Sequence, residues 1–252
     1  MRNKVTVSGK LIRRELKYTP TGVPVFQGAI AGVRGLRRFV LPFEMVGEKA
    51  EAIAVALDGQ KNPALFMRGH FLTKQWENET GEKRSRLILR ADGFSPVLGE
   101  AKTLALPTRK GGALEFLEGA VNLAVLEGRL VRNISPKVVQ MRKDGKDVVL
   151  SEGTVAVNMR FVGRDGEERE LAAFVPFEFW DTRLEGKKGE WVQVAGVVSH
   201  SIWTTKTGET RSRFYVAAES FVRLGFIDLK ATTPKADGPE VVEFPPVEDL
   251  PF

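Results

Sequence analysis

Cysteine is absent from the 252-residue sequence, and histidine is rare, with only His70 and His200. Without cysteine the chain can form no disulfide, thiolate nucleophile or cysteine-based zinc site, which fits a reducing compartment. Neither histidine has a companion at a metal-ligand spacing, and we interpret both as ordinary strand residues. A phosphate-binding glycine loop and a nucleophile elbow are also missing. We therefore expect no cofactor, no metal and no enzymatic activity.

Long apolar stretches are missing as well. No run of about 18 apolar residues occurs, and the first residues enter a strand-like pattern without an apolar signal region. The composition, with 42% hydrophobic and 28% charged residues, is typical of a soluble globular protein. We expect a cytoplasmic protein without a membrane segment.

Charge is distributed unevenly along the chain. The net charge is +6, yet residues 228–252 contain six acidic residues and two lysines, which gives this segment −4 and the remainder +10. A basic body is typical of a protein that binds a polyanion, although a basic surface without a ligand fits the charge equally well. We expect the acidic end to have a separate role.

An internal repeat is the most informative feature of the sequence. Residues 75–86 and 202–213 each contain a tryptophan, then Thr-Gly-Glu, and then Arg-Ser-Arg, at an offset of 127. Two shorter blocks also recur, 9–13 at 128–132 and 42–44 at 176–178. Three blocks in the same order indicate two copies of one fold, with loops of different length between the blocks.

Each copy is predicted to consist mostly of strands. In the first copy, apolar alternation predicts strands at 5–13, 23–30, 38–43, 65–76 and 84–94, and an alanine-rich stretch predicts a helix at 48–57. A turn with Thr-Gly joins the last two strands as a hairpin. Three strands, a helix and two more strands follow the order of the OB-fold, a five-stranded Greek-key barrel.

The second copy repeats this order with a weaker helix. Its strands are predicted at 123–135, 148–159, 169–180, 190–203 and 211–224, with a short helix-like stretch at 181–185. Between the copies, residues 113–117 fit either one helical turn or an extra strand.

The predicted fold class is therefore all-β, with two tandem OB-folds joined by a connector. The predicted boundaries are 1–95 for the first OB-fold, 96–120 for the connector, 121–226 for the second OB-fold, and 227–252 for a short, disordered acidic tail.

Trp76 and Trp203 lie at equivalent positions in the strand that enters the long hairpin. A protein that binds single strands without sequence preference needs flat side chains for base stacking and cations for phosphates. We therefore predict that both tryptophans stack on bases; packing at the end of the barrel is the alternative. Trp180 is a further stacking candidate. Phe43, Phe177 and Trp191 are predicted to pack in the interior.

Basic residues occur at the end of the first strand, in the turn after the second strand, and in the hairpin of both copies. Their placement in both copies predicts phosphate contacts, which make binding dependent on salt. The predicted contacts are Arg13, Arg14, Lys17, Arg34, Arg37, Arg38, Lys74, Arg84, Arg86, Arg132, Arg142, Lys143, Arg211 and Arg213.

These features resemble the bacterial single-stranded DNA-binding proteins, in the form with two OB-folds per chain that occurs in the Thermus and Deinococcus lineage. The resemblance rests on residues 16–22, on 74–76 with the following hairpin, and on 245–252, and it extends over nearly the whole chain. It implies a homodimer with four OB-folds that binds single-stranded DNA in replication, recombination and repair. It also implies a cytoplasmic, nucleoid-associated location and base stacking on Trp76, Trp203 and Trp180.

The C-terminal end carries the most specific part of the resemblance. In this family an acidic stretch that ends in Pro-Phe docks on basic, apolar pockets of replication and repair proteins. The resemblance therefore assigns partner docking to Glu248, Asp249, Leu250, Pro251 and Phe252. An apolar anchor beside a terminal carboxylate is chemically suited to such a pocket. A solvated end without a partner is the alternative.

The two copies also differ. Of the block at 18–22, the second copy keeps only Ser-Pro-Lys at 135–137, so we expect two unequal DNA-binding domains. Two other functions stay open from the residues: an RNA-binding OB-fold protein, and a replisome assembly module whose OB-folds bind protein.

Overall fold

The computed structural model of the chain describes residues 2–35, 37–77, 81, 83–97, 99–107, 112–140, 145–162, 168–204, 208 and 210–226. For residues 75, 76, 83, 84, 159–162, 168–170, 202, 203, 210 and 211, the description extends to the backbone only. This part of the chain forms thirteen strands and one helix, which confirms the predicted all-β class.

Barrel 1 consists of β1 (Asn3–Tyr18), β2 (Pro24–Arg34), β3 (Arg37–Val46), β4 (Ala64–Glu77) and β5 (Lys83–Pro96), with helix α1 (Glu48–Ala56) between β3 and β4. Its strands neighbour one another in the order β1-β2-β3-β5-β4, and β4 pairs with β1 to close the barrel. β3 and β5 are parallel at Phe43 and Leu89. Every predicted element of this copy is present, and the arrangement is an OB-fold.

Barrel 2 consists of β8 (Asn122–Leu130), β9 (Ser135–Gln140), β10 (Asp147–Val162), β11 (Glu168–Trp180), β12 (Trp191–Thr204) and β13 (Thr210–Gly225). β8 pairs with both β10 and β12 to close the barrel, and β11 is parallel to β13. The parallel pair joins Phe177 to Val216, which matches Phe43 and Leu89 of barrel 1. The second predicted OB-fold is therefore present as well.

Two details of barrel 2 differ from the prediction. The predicted strand at 123–135 is broken into β8 and β9, whereas β1 is continuous and absorbs its bend in an irregularity between Leu11 and Arg13. The predicted helix-like stretch at 181–185 is not helical, and it begins with Asp181 at a φ of 62°. Its backbone is bonded to β10 instead: the Leu184 N–H donates to the Ser151 hydroxyl at 3.0 Å, which donates to the Thr182 carbonyl at 2.8 Å.

The connector contains β6 (Thr103–Pro107) and β7 (Ala113–Glu118), which form a hairpin. The stretch at 113–117, which fitted a helical turn or a strand, is therefore a strand. β7 runs parallel to β2 at Gly32 and Val33, so the connector adds two strands to the edge of barrel 1.

The barrels are joined by antiparallel pairing of β1 with β8. The pairing is centred on Val5 and Ala124, which are equivalent residues at the offset of 119, so the two barrels are related by a pseudo-two-fold axis. Asn3 and Asn122 are equivalent too. The Asn3 amide bonds the N–H and the carbonyl of Phe71, both at 2.9 Å, and Asn122 bonds Val198 in the same way. These amides extend the strand pairing where the backbone turns to the other barrel.

In both barrels a glycine lies opposite a buried phenylalanine. Gly28 is the β2 partner of Phe43, and Gly153 is the β10 partner of Phe177. A Cβ at either glycine would overlap the phenylalanine ring, so each ring packs directly on backbone. Phe43 is 3% exposed, Phe177 1% and Trp191 4%, which confirms their predicted interior positions.

Candidate nucleic-acid interface

The hairpins β4–β5 and β12–β13 share their strand register from the glycine bulge to the tryptophan. Trp76 is paired with Arg84 in the first hairpin, and Trp203 is paired with Arg211 in the second. Each hairpin has a register shift at an equivalent glycine, Gly69 or Gly196. A Cβ at either glycine would overlap a carbonyl oxygen of the neighbouring strand, so both bulges require glycine. The two copies of the repeat therefore form hairpins with the same bulge and the same Trp–Arg pairing.

Several predicted site residues lie outside the described part of the chain. Arg142, Lys143 and the docking residues Glu248, Asp249, Leu250, Pro251 and Phe252 are among them. For Trp76, Arg84, Trp203 and Arg211 the backbone alone is described, in the hairpin strands. Their stacking, phosphate and docking roles stay predictions.

The outer surface of barrel 1 carries an open, mainly cationic pocket of about 380 Å³. We call it the barrel 1 pocket; its polar lining includes Lys17, Tyr18, Gln27, Glu44, Lys74 and Arg90. Glu44 is buried at its base and accepts hydrogen bonds from Arg90 at 2.6 Å and Lys74 at 3.2 Å. The buried carboxylate is therefore hydrogen-bonded to two cationic side chains.

The equivalent surface of barrel 2 has a different charge pattern. Glu178 occupies the place of Glu44, and its β10 partner is Glu152 where barrel 1 has Gln27. The Arg213 guanidinium is ion-paired with both carboxylates, and Lys137 is ion-paired with Glu152. Two cations are therefore paired with two carboxylates in barrel 2, whereas the lining of the barrel 1 pocket contains three cations and one carboxylate.

The pKa of Glu152 reflects this arrangement. Burial raises the pKa, but hydrogen bonds and charge from Lys137 and Arg213 outweigh burial and hold the pKa below its ordinary value. Arg213 was predicted to contact phosphate. In the structure its guanidinium is ion-paired with two carboxylates, and its phosphate contact stays a prediction.

The other predicted cations differ in the groups that they contact. Arg14 donates to the carbonyls of Leu57 and Gln60, at 2.6 and 3.0 Å, and so holds the segment after α1. Arg34 donates to the Asn122 carbonyl, which ties barrel 1 to barrel 2. The remaining predicted cations with described side chains are exposed and contribute to a basic surface: Arg13, Lys17, Arg37, Arg38, Arg86 and Arg132.

Trp180 is half-buried at the end of β11, and its Nε1 donates to the Glu178 carboxylate at 3.2 Å. The same strand exposes Phe174, which is 44% accessible and was not predicted as a site residue. The alternation along β11 gives the signal that could have identified it, because residues 174, 176, 178 and 180 share one side of a strand. Tyr18, 59% accessible beside the barrel 1 pocket, was missed as well.

A second cleft, of about 420 Å³, lies between the barrels. Equivalent residues of the repeat meet there, Ser85 and Arg86 from β5 with Ser212 and Arg213 from β13. Phe174 lines the same cleft, and its N–H donates to the Thr73 hydroxyl at 3.1 Å. The hairpin surfaces of the two barrels are therefore continuous.

Both histidines lie in strands, as predicted. His200 stacks on Phe214 with 4.4 Å between ring centroids, and burial lowers its pKa. Within the described residues, no group of three His, Asp or Glu side chains is arranged to hold a metal ion. The same part of the chain has no helix with the length and apolarity needed to span a bilayer.

Comparison with known proteins gives a consistent result. The sequence is 30% identical over 273 aligned positions to a single-stranded DNA-binding protein of Thermus thermophilus, and the alignment covers 99% of this chain and 98% of that protein. The chain belongs to the single-stranded DNA-binding protein family. Its Deinococcus radiodurans relative of the same name is 29% identical, over 86% of this chain and 73% of the relative.

The fold comparison agrees with this family. The crystal structure of the wild-type single-stranded DNA-binding protein from Thermus aquaticus superposes with a TM-score of 0.62 at 21% identity, covering 92% of this chain and 98% of that chain. No family model matches the sequence. Membership in this family was the resemblance inferred from the repeat, the hairpins and the C-terminal residues, and it is confirmed.

Proposed function

We propose that this chain binds single-stranded DNA without strong sequence preference, through the hairpin surfaces of both barrels. The observation that carries the proposal is the duplication of one hairpin, with Trp76 and Trp203 each opposite an arginine in the same register. Relatives over the full length carry the name single-stranded DNA-binding protein. Stacking of bases on tryptophan and attraction of phosphates to arginine need no particular sequence.

The test is the anisotropy of fluorescein-labelled oligo-dT titrated with the full chain at several salt concentrations. We expect tight binding that weakens steeply with salt, because phosphate contacts release counterions. Replacing both tryptophans (Trp76→Ala with Trp203→Ala) should cost about 1–3 kcal/mol per stacked base. Trp191→Phe is the control, since Trp191 is buried in barrel 2. Unchanged affinity of the double variant would refute the stacking role.

An RNA-binding function and a protein-assembly function are the alternatives. If oligo-U competes for the binding site as effectively as oligo-dT does, an RNA-binding protein is favoured. Failure to bind any single strand would favour an assembly module. The basic hairpin surface and the family name support the DNA proposal over both.

We further propose that the C-terminal residues recruit replication, recombination and repair proteins in the cytoplasm, at the nucleoid. The proposed domains are 1–95 and 121–226 as OB-folds, with 96–120 as the connector and 227–252 as the recruiting tail. Removing 249–252 should leave oligo-dT binding intact and abolish capture of those proteins. Loss of both activities together would contradict a separate tail function.

We also propose a homodimer formed through the outer side of the sheet that spans both barrels. On β8 the outward residues are Leu123, Val125 and Glu127, and Leu123 is 41% accessible. Val222, which is 44% accessible, lies on β13 of the same sheet. Exposed apolar side chains on one sheet favour association. Light scattering should give twice the chain mass, and Leu123→Lys should reduce it to one chain; a monomeric wild type would refute the dimer.

A further inference from the structure

The barrel 1 pocket has a charge that favours an anionic ligand. Lys17, Lys74 and Arg90 line it together with one carboxylate, that of Glu44. Glu44 is 6% exposed and lies at the base, whereas the Lys74 side chain is 44% exposed and reaches solvent. The ion pair of Lys17 with Glu15, at 2.9 Å, is exposed on both sides and is therefore easily exchanged for another anion.

The aromatic ring of Tyr18 lines the same pocket. Tyr18 ends β1 and is 59% accessible. The turn that follows is held in place by its own hydrogen bonds: the Thr19 N–H donates to the Val23 carbonyl at 2.9 Å, and the Val23 N–H donates to the Thr19 hydroxyl at 3.0 Å. The ring is therefore carried on a fixed backbone beside cations, which is the combination that a nucleotide requires.

Barrel 2 keeps Lys137 at the register position of Lys17 and Glu178 at that of Glu44, but it lacks the other components of this pocket. Its strand pairing places Val138 opposite Val149, where barrel 1 has Tyr18 opposite Pro24. Ser201 and Ala217 occupy the positions of Lys74 and Arg90 at the offset of 127. Glu152 replaces Gln27, and Arg213 is ion-paired there with two carboxylates. Barrel 2 can therefore serve as the control for this site within the same chain.

We propose that the barrel 1 pocket is a nucleotide subsite that barrel 2 lacks, in which a base stacks on Tyr18 while Lys17 and Lys74 contact the adjoining phosphates. The proposal rests on the proposed binding of single-stranded DNA and adds to it one asymmetric position. Gln27 lies in the wall of the same pocket and offers a donor and an acceptor to the base edge without adding charge. A strand bound to the protein is consequently held more tightly at barrel 1.

The experiment compares Tyr18→Ala with Val138→Ala, its matched control in barrel 2, in the full chain. Both side chains are exposed, so neither change should disturb folding. We expect Tyr18→Ala to raise the Kd for labelled oligo-dT about 5- to 100-fold, the effect of losing one stacked base, and Val138→Ala to leave it unchanged. Photocrosslinking with an oligonucleotide that contains 5-iodo-deoxyuridine should label the peptide with Tyr18 and not the peptide with Val138.

The outcomes separate the subsite from DNA binding itself. If wild type binds oligo-dT, Tyr18→Ala binds equally well and the Tyr18 peptide is not labelled, the subsite is refuted while DNA binding stands. Equal losses for Tyr18→Ala and Val138→Ala would refute the asymmetry. If wild type binds no oligo-dT at all, the proposed function itself fails.

Discussion

In barrel 1 the buried carboxylate of Glu44 is ion-paired with two cations, Lys74 and Arg90. In barrel 2 the equivalent Glu178 shares Arg213 with Glu152. One position accounts for much of this difference, since Gln27 and Glu152 are the strand partners of the two equivalent acids. The carboxylate of Glu152 lowers the charge of this surface by one, and the exchange of Lys74 and Arg90 for Ser201 and Ala217 lowers it further.

The comparison separates two kinds of residue in a duplicated fold. Positions that the backbone needs are retained in both copies: the bulge glycines Gly69 and Gly196, and the paired amides Asn3 and Asn122. Charges on the outer surface differ between the copies, because an exposed charge contributes little to the stability of the barrel. The charges of the barrel 1 pocket therefore differ between the copies, whereas the tryptophan and the Arg-Ser-Arg block of each hairpin are retained.

The largest predicted effect tests whether the two cores are equally built. Phe43→Ala and Phe177→Ala each remove a ring that packs on a glycine, and each should lower the free energy of unfolding by about 3–5 kcal/mol. Urea denaturation measures both values. A loss below about 1 kcal/mol in one barrel alone would show that the cores are not equivalent.

A smaller loss of stability is expected from substitutions of the asparagines where the barrels join. Asn122→Ala leaves the buried N–H and carbonyl of Val198 without their partner, at a cost of about 1–3 kcal/mol. Asn3→Ala should cost less, since Asn3 is only half-buried and water can replace it. Denaturation combined with hydrogen exchange at Phe71 and Val198 measures both, and a larger cost for Asn3→Ala would contradict this order.

The smallest predicted effect is a dependence of the free energy of unfolding on pH. The pKa of Glu152 is lower in the folded chain than its ordinary value, so the unfolded chain binds more protons near pH 4.5 and below. The stabilisation is therefore present above that range and is lost as the pH falls through the folded pKa. Glu152→Gln should show a shallower loss of stability over this window than wild type; parallel curves would show that the pairing with Lys137 and Arg213 contributes nothing.

Much of the fold could be predicted from the sequence. Alternation identified the strands of both copies, because it reflects local side-chain periodicity. The duplication was identified by matching sequence blocks in the two halves of the chain. The break between β8 and β9 was missed because a strand that bends and a strand that breaks have similar patterns. The non-helical segment at 181–185 was missed because its backbone is held by hydrogen bonds to Ser151, a residue about 30 positions away that local sequence does not reveal.

The candidate site was less predictable. Counting basic residues selected Arg213 as a phosphate contact, but its partners Glu152 and Glu178 are 61 and 35 residues away in sequence. Only strand register reveals that these carboxylates are adjacent. Tyr18 was overlooked for a similar reason, because the pocket beside it is assembled from five strands of barrel 1.

The most direct test of the difference between the barrels is an exchange of the two strand partners, Gln27→Glu in barrel 1 and Glu152→Gln in barrel 2. Labelled oligo-dT is titrated with each full-length variant over a range of salt concentrations. We expect Gln27→Glu to weaken binding and to lower the salt slope by about one phosphate contact, while Glu152→Gln strengthens binding by releasing Arg213. Equal affinities for both variants, or a gain for Gln27→Glu, would contradict the proposed asymmetry.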